Sequence, residues 1–205
     1  VAKPLNRIVT ALDIGGDLDM LLAPEWFFVK RGKSMYSERE FKEKVDDIIR
    51  ISEGLETLIV PGTFAWSDGT HYRNTAPIIS NGNLLHTYSK KLEGDDKEFA
   101  AKYDNLEWKP GTDKQEFQWN DQNIGIQICA DHILNMNTEN EVDMHLVVAC
   151  GKRLELCVVS QTLKLGGIIC KCDGAKDRVS ENTVMRYVGL PTIGSWCGEF
   201  EAVPY

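Results

Sequence analysis

The chain has 205 residues, of which 42% are hydrophobic and 26% are charged, the ordinary composition of a globular protein. Its formal net charge of −8 disfavours nucleic-acid binding, which uses basic surfaces. No apolar stretch reaches the roughly 18 residues of a membrane helix and no secretory leader is visible, so we expect a cytoplasmic protein without a membrane partner. With no repeat and no linker-like segment, residues 1–205 are predicted to form a single domain.

The first chemically informative segment is DMLLAPEWFF, residues 19–28. An apolar, strand-like run from Met20 to Ala23 is ended by Pro24, and Glu25 follows at once beside three aromatic residues. A carboxylate held against aromatic rings loses hydration, which suits it to act as a general base. Taken alone, an exposed glutamate at a strand end is the simpler interpretation.

The clearest helix is predicted over residues 37–55, SEREFKEKVDDIIRISEGL. Ser37 and Glu40 form a capping box, and Gly54 suits the C-cap. One face carries the apolar residues at helical spacing, which indicates core packing.

A second candidate segment is NLLHTYSKKL, residues 83–92, which reads as a strand from Leu84 to Tyr88 with Lys90 and Lys91 at its end. A lysine near a thiol favours the thiolate and can stabilise an oxyanion. The ordinary alternative is a pair of solvated lysines. DDKEFAAKY, residues 95–103, predicts a short helix after it.

The third candidate segment is IGIQICADHI, residues 124–133, a buried strand that ends at Cys129. A thiol at a strand end is rigidly placed and reachable, as a nucleophile must be, although most buried cysteines only fill a core. Asp131 is interpreted as a capping or loop-holding residue. His132 is disfavoured as a Cys–His partner, because catalytic pairs are recognised by geometry rather than by closeness in sequence.

The other cysteines give weak evidence for function; they are Cys150, Cys157, Cys170, Cys172 and Cys197. Most lie in apolar, strand-like contexts that predict buried thiols. Cys170 and Cys172 alternate along one predicted strand, but no matching pair of ligands accompanies them, so no metal site is predicted. The low cysteine density favours a reducing compartment over a disulfide scaffold.

Three strand ends thus carry Glu25, Lys90 and Cys129 in this order. The arrangement resembles the nitrilase (carbon–nitrogen hydrolase) superfamily, whose Glu–Lys–Cys triad lies at the ends of three core strands in the same order. LLAPE, the Tyr88-x-Lys90 spacing and GIQICAD each match the family's motifs. The segments LIVPGTFAW, RNTAPIISNGNLL and VDMHLVVACG are similar to the family's intervening strands.

The resemblance implies an α/β protein with a four-layer α-β-β-α sandwich that assembles into a homodimer or a larger homo-oligomer. It implies a thiol-dependent hydrolase of non-peptide carbon–nitrogen bonds, preferably an amidase that acts on a small amide or nitrile. A catalytically silent scaffold protein and an acyltransferase of the same superfamily are the alternatives. The implied reaction requires no metal and no organic cofactor.

The resemblance also assigns roles to residues. Glu25 is the general base, Cys129 is the nucleophile, and Lys90 with the backbone N–H of Ala130 stabilises the oxyanion. The family has a second glutamate that positions the lysine, and Glu98 is predicted for that role.

The sequence departs from the family's pattern in four places. The chain continues as KKLEGDD after the lysine strand, so Lys91 stays an alternative to Lys90, and Glu93 is the second choice to Glu98. After the cysteine, HILNMNTENE replaces the family's Arg-x-Phe-Pro-Glu-like stretch.

The two other departures are short junctions near residues 15 and 151. RIVTALD, residues 7–13, is interpreted as the first strand, which leaves no room for a helix before the glutamate strand. Only KRLE, residues 152–155, separates VVACG from the next apolar run. Parallel strands need a crossover of about a dozen residues, so loops are predicted to be deleted, or missing from the sequence, at both junctions.

Overall fold

The structure, a computed structural model, describes residues 4–15, 18–30, 35–100, 106–133, 140–151, 154, 162–175, 182–189 and 199–203. The chain divides into two compact units, Val1–Thr112 and Asp113–Tyr205, and each has its own β-sheet. Helices accompany both sheets, so the predicted α/β class is confirmed. The single domain stays a prediction. Within the described ranges, no helix combines the length and the apolar character that a membrane crossing needs.

The first unit contains a mixed sheet with the strand order β1-β3-β5-β4-β2, and β6 and β7 also pair with β5. Its described elements are α1 (Pro4–Gly15), β1 (Met20–Leu22), β2 (Tyr36–Ser37), α2 (Glu38–Ile51), β3 (Leu58–Val60), β4 (Phe64–Ser67), β5 (His71–Ser80), β6 (Asn83–Ser89), α3 (Asp96–Ala100) and β7 (Glu107–Trp108). β1 and β3 are parallel, and the connection that contains α2 supplies their crossover.

The predicted capping box of α2 is confirmed. The Ser37 hydroxyl accepts a hydrogen bond from the Glu40 N–H, and the Glu40 carboxylate accepts one from the Ser37 N–H. The helix buries the face that the sequence predicts, which includes Phe41. It ends at Ile51, earlier than predicted, and Gly54 takes a left-handed conformation with φ 76° in the turn that follows.

The prediction of a strand at residues 7–13 is wrong, because this segment lies within α1. Leu5, Ile8 and Leu12 recur at helical spacing, and all three pack in the core of the first unit. Pro4 begins the helix, a position where a missing N–H costs nothing. The short junction near residue 15 is therefore a helix followed by a turn, and no crossover has to fit there.

The second unit contains a six-stranded sheet with the order β13-β12-β11-β10-β9-β8. Its described elements are β8 (Glu116–Trp119), β9 (Gln122–Ile128), α4 (Ala130–Ile133), β10 (Val142–Ala149), β11 (Leu163–Asp173), β12 (Thr183–Gly189) and β13 (Glu199–Ala202). The three central strands β9, β10 and β11 are parallel, with Ile126 beside Leu146 and Leu146 beside Cys170. Parallel strands place their carboxyl ends at one edge, where Cys129 follows β9.

The junction near residue 151 also differs from the prediction. β11 begins at Leu163, so residues 150–162 connect the parallel strands β10 and β11. This connection reaches the dozen or so residues that a parallel crossover needs. The apolar run that the sequence suggests directly after KRLE, at residues 156–160, lies outside the described residues.

Candidate active site

Glu25 lies in the turn after β1 and is buried within the first unit. Pro24 follows the strand as predicted, and Trp26 has a left-handed backbone with φ 61°. The Trp26 N–H donates to Oγ1 of Thr63 at 2.9 Å, and a Cβ at Gly62 would stand 2.3 Å from the Pro24 carbonyl oxygen. Because only glycine fits there, the two loops pack closely and leave Glu25 3% exposed.

Lys90 is the centre of a buried set of side chains that we call the Lys90 cluster: Glu25, Asn74, Lys90 and Asp96. The Lys90 Nζ lies 2.9 Å from Oε1 of Glu25 and 2.7 Å from Oδ1 of Asp96. The Asn74 amide nitrogen donates to Glu25 at 2.9 Å and to Asp96 at 3.2 Å. Lys90 is only 1% exposed, so these contacts are made away from bulk water.

The Lys90 cluster has two carboxylates for one ammonium group, which favours the binding of one proton. Burial raises the pKa of Asp96 to about 7, with the Lys90 ammonium opposing this shift and the Glu25 carboxylate adding to it. Both carboxylates contact the same ammonium group, so the proton belongs to the pair. A buried group that exchanges a proton near neutral pH is typical of acid–base sites.

The structure corrects the choice of the second acidic residue. Glu98 is exposed on α3, whereas Asp96 on the same helix contacts Lys90. The side chains of residues 96 and 98 point about 200° apart around a helix, so both cannot face one lysine. Glu93, the second choice, accepts a short hydrogen bond from the Tyr72 hydroxyl. Burial, reinforced by this carboxylate, raises the pKa of Tyr72.

The predicted nucleophile, Cys129, lies in the second unit directly after β9 and is 5% exposed. Its backbone is left-handed, with φ 49°, which is uncommon for a residue with a Cβ. Its N–H donates to the Val148 carbonyl at 2.9 Å, and its own carbonyl accepts from the His132 N–H at 3.1 Å. A sharp strand-to-helix turn therefore follows β9, and Ala130 begins α4.

Solved structures of one superfamily match this architecture. Nit3 of Saccharomyces cerevisiae, from branch 10 of the nitrilase superfamily, aligns over 96% of this chain and 78% of its own, with a TM-score of 0.63 at 14% identity. A carbon–nitrogen hydrolase superfamily protein of Xanthomonas campestris aligns over 88% of this chain and 75% of its own, with a TM-score of 0.61 at 15% identity. The chain has the nitrilase-superfamily fold.

A third match is an amidase of the nitrilase superfamily from Nesterenkonia, over 90% of this chain and 76% of its own, with a TM-score of 0.60 at 16% identity. Structures of that amidase carry covalent additions of acrylamide, or of the acetamide moiety of fluoroacetamide, at its active-site cysteine. No family model and no curated protein matches the sequence. The resemblance read from the motifs is thus confirmed at the level of the fold, and assembly into a homodimer stays a prediction.

Two members of the Lys90 cluster in this nitrilase fold escape the sequence reasoning. Asp96 could have been found from helical spacing, because buried Ala100 lies four residues later on the same face of α3. Asn74 follows buried Tyr72 by two residues on β5, so strand alternation places both on one face. Lys91, the alternative to Lys90, is half-buried, and no ion pair with it is recorded among the described residues.

His132 makes its contact away from the expected catalytic pairing. Its Nδ1 lies 2.8 Å from Oε1 of Gln127, and burial, together with the Lys171 ammonium, lowers the pKa of His132 to about 4. The imidazole is therefore neutral and a weak base at neutral pH. Asp131 is fully buried beside it in α4, in agreement with a structural role.

The described cysteines are thiols rather than disulfides. Cys150 is exposed, contrary to a buried role, whereas Cys170 is buried and Cys172 is partly buried. Burial raises the pKa of Cys170 to about 12 and of Cys172 to about 11. Cys157 and Cys197 lie outside the described residues. The described residues contain no group of three or more side chains suited to hold a metal ion.

Proposed function

We propose that the protein is a thiol-dependent hydrolase of non-peptide carbon–nitrogen bonds, and specifically an amidase for small amides. The observation that carries this proposal is the buried Lys90 cluster. Removing two carboxylates and an ammonium group from water is costly, and an apolar replacement is often neutral or stabilising. A cluster of this kind at a strand end is more economically explained by chemistry than by stability.

Cys129 supports the proposal from the second unit. A strand end followed by a left-handed residue and a short helix presents a side chain at a tight turn, as a nucleophile requires. The Nesterenkonia amidase, which shares the fold, reacts covalently at its active-site cysteine. We assign the corresponding role to Cys129.

In this mechanism Glu25 takes the proton from Sγ of Cys129, and the thiolate attacks the amide carbon. The carbonyl π electrons move to oxygen, and the oxyanion is stabilised by Lys90 and the Ala130 N–H. Glu25 returns the proton to the leaving nitrogen, the C–N bond breaks, and ammonia or an amine departs from a thioester. Water then gives a proton to Glu25 and attacks the thioester, which releases the acid and restores the thiol. One oxyanion donor is typically worth about 3 kcal/mol of transition-state energy.

Asp96 takes the positioning role that the sequence assigns to Glu98. It contacts Nζ of Lys90 at 2.7 Å and shares the Asn74 amide with Glu25. These contacts fix the ammonium group beside the proposed base. Asp96 therefore acts through Lys90 and has no step of its own in the reaction.

The test is a panel of small aliphatic and aromatic amides, with ammonia release and the mass of the intact protein as readouts. We expect ammonia and an acyl adduct on Cys129. Cys129→Ala should lose both signals, whereas Cys150→Ala, which removes an exposed thiol, should keep them. A folded parent that gives neither signal would favour the silent scaffold. An adduct that resists water but transfers to hydroxylamine would favour the acyltransferase.

A further inference from the structure

The turn at Cys129 is held by buried hydrogen bonds that the proposed reaction does not use. A left-handed residue with a Cβ persists only where the surrounding structure over-determines its conformation. Two backbone hydrogen bonds, to Val148 and from His132, contribute to this. The side chains around the turn add a second layer of contacts.

The first side-chain contact closes the turn across the cysteine. Gln127 precedes Cys129 by two residues on β9, and His132 follows it by three residues in α4. The His132 Nδ1 lies 2.8 Å from Oε1 of Gln127. This hydrogen bond therefore ties the strand that enters the turn to the helix that leaves it.

The second contact connects the turn to the neighbouring strand. His145 on β10 places Nε2 3.0 Å from the same Oε1 of Gln127. In the parallel register Gln127 pairs with Val147, so Gln127 and His145 project from the same face of the sheet. Gln127, His132 and His145 are each at most 1% exposed. We call these three residues the imidazole clamp.

The protonation of the imidazole clamp follows from its chemistry. An amide oxygen only accepts hydrogen bonds, so His132 carries its proton on Nδ1 and His145 carries its proton on Nε2. Burial lowers the pKa of His132 to about 4 and that of His145 to about 3, with Lys171 and His132 respectively adding to the effect. Both rings stay neutral around pH 7. The His145 Nδ1 has no hydrogen-bond partner among the described residues, a cost that stability alone does not explain.

We propose that the imidazole clamp is a set of positioning residues that holds Cys129 in its left-handed conformation and thereby orients Sγ and the Ala130 N–H for reaction. The catalytic part of this inference rests on the proposed function, because it takes Cys129 as the nucleophile. The conformational part concerns the second unit alone. Displacement of a reacting group by about 1 Å is enough to cost on the order of a hundredfold in rate.

The protonation is tested in the full-length parent protein by ¹⁵N NMR of the imidazole rings. We expect His132 to be the Nδ1–H tautomer and His145 the Nε2–H tautomer, with neither ring titrating between pH 6 and pH 9. A His132 ring protonated on Nε2 alone, or titration of either ring in this range, overturns the clamp. This measurement needs no variant, so it decides the question even if a substitution prevents folding.

The positioning role is tested with a pair of variants at one residue. His132→Leu removes the donor, whereas His132→Asn keeps an N–H close to the position of Nδ1. We expect His132→Leu to lower kcat on the order of a hundredfold with KM changed only a few-fold, and His132→Asn to recover most of kcat. Leu163→Ala is the control, because it removes a buried core side chain of the second unit outside the clamp. An equal loss of kcat in Leu163→Ala would reduce the clamp to a structural role.

The ¹³Cα and ¹³Cβ chemical shifts of Cys129, which depend on its φ, separate this inference from the proposed function. They should change in His132→Leu and stay as in the parent in His132→Asn and Leu163→Ala. If this pattern holds but the parent hydrolyses no amide, the clamp orders the turn and only the proposed function fails. If the parent is active and His132→Leu changes neither the shifts nor kcat, the clamp fails and the proposed function stands.

Discussion

Replacing Asp96 with asparagine removes one carboxylate from the Lys90 cluster with little change in side-chain shape. In the parent, burial raises the pKa of Asp96 to about 7, from an ordinary value of 3.8. Between these two pH values the folded protein holds a proton that the unfolded chain has released. Folding is therefore coupled to proton binding in this window, and the contribution of this group to stability falls as the pH rises.

The magnitude follows from the size of the shift. One extra proton in the folded state lowers the free energy of unfolding by about 1.4 kcal/mol for each pH unit. The window from the ordinary pKa to the raised one spans about three units, so about 4 kcal/mol that is present below pH 4 is lost above pH 7. An asparagine side chain at this position would keep an oxygen for Lys90 but has no carboxyl group to titrate. Asp96→Asn should therefore lose this pH dependence.

The assay is urea unfolding, followed by circular dichroism, at intervals between pH 5 and pH 8. The free energy of unfolding of Asp96→Asn, relative to the parent, should rise by about 1.4 kcal/mol per unit up to pH 7 and then level off. Glu98→Gln is the matched control, because it removes an exposed carboxylate from the same helix, and its difference from the parent should be nearly constant. A constant difference for Asp96→Asn as well would show that the cluster holds no proton, and would refute the reasoning.

Three further predictions concern the proposed reaction. Glu25→Gln should abolish ammonia release from amides with the fold retained, because the amide cannot take the proton of Cys129; undiminished activity would remove Glu25 from the mechanism. Lys90→Ala should lower kcat by about a hundredfold or more in the folded fraction, whereas Lys91→Ala should stay within a few-fold of the parent; the reverse order would exchange the two roles. Brief iodoacetamide treatment followed by peptide mapping should label Cys129 before the exposed Cys150, and an inert Cys129 would indicate a structural thiol.

Local sequence patterns were sufficient for the strand ends that carry the candidate residues. An apolar run stopped by Pro24 predicts the turn that holds Glu25, since proline has no N–H with which to continue a strand pairing. The apolar run that ends at Ile128 likewise predicts the position of Cys129. The capping box at Ser37 predicts the start of α2, because the first N–H groups of a helix need acceptors nearby. These features depend on residues close in the chain, so the sequence alone determined them.

Tertiary packing decided the features that involve residues far apart in the chain. The sequence supplies both Asp96 and Glu98 beside Lys90, but only the packing of α3 places Asp96 against the ammonium group and leaves Glu98 in water. It offers His132 as a partner for Cys129, whereas the pairing of β9 with β10 joins its contact Gln127 to His145 instead. A sequence pattern limits the conformation of neighbours, but a hydrogen bond between strands depends on their register. That register is set by the burial of the whole sheet.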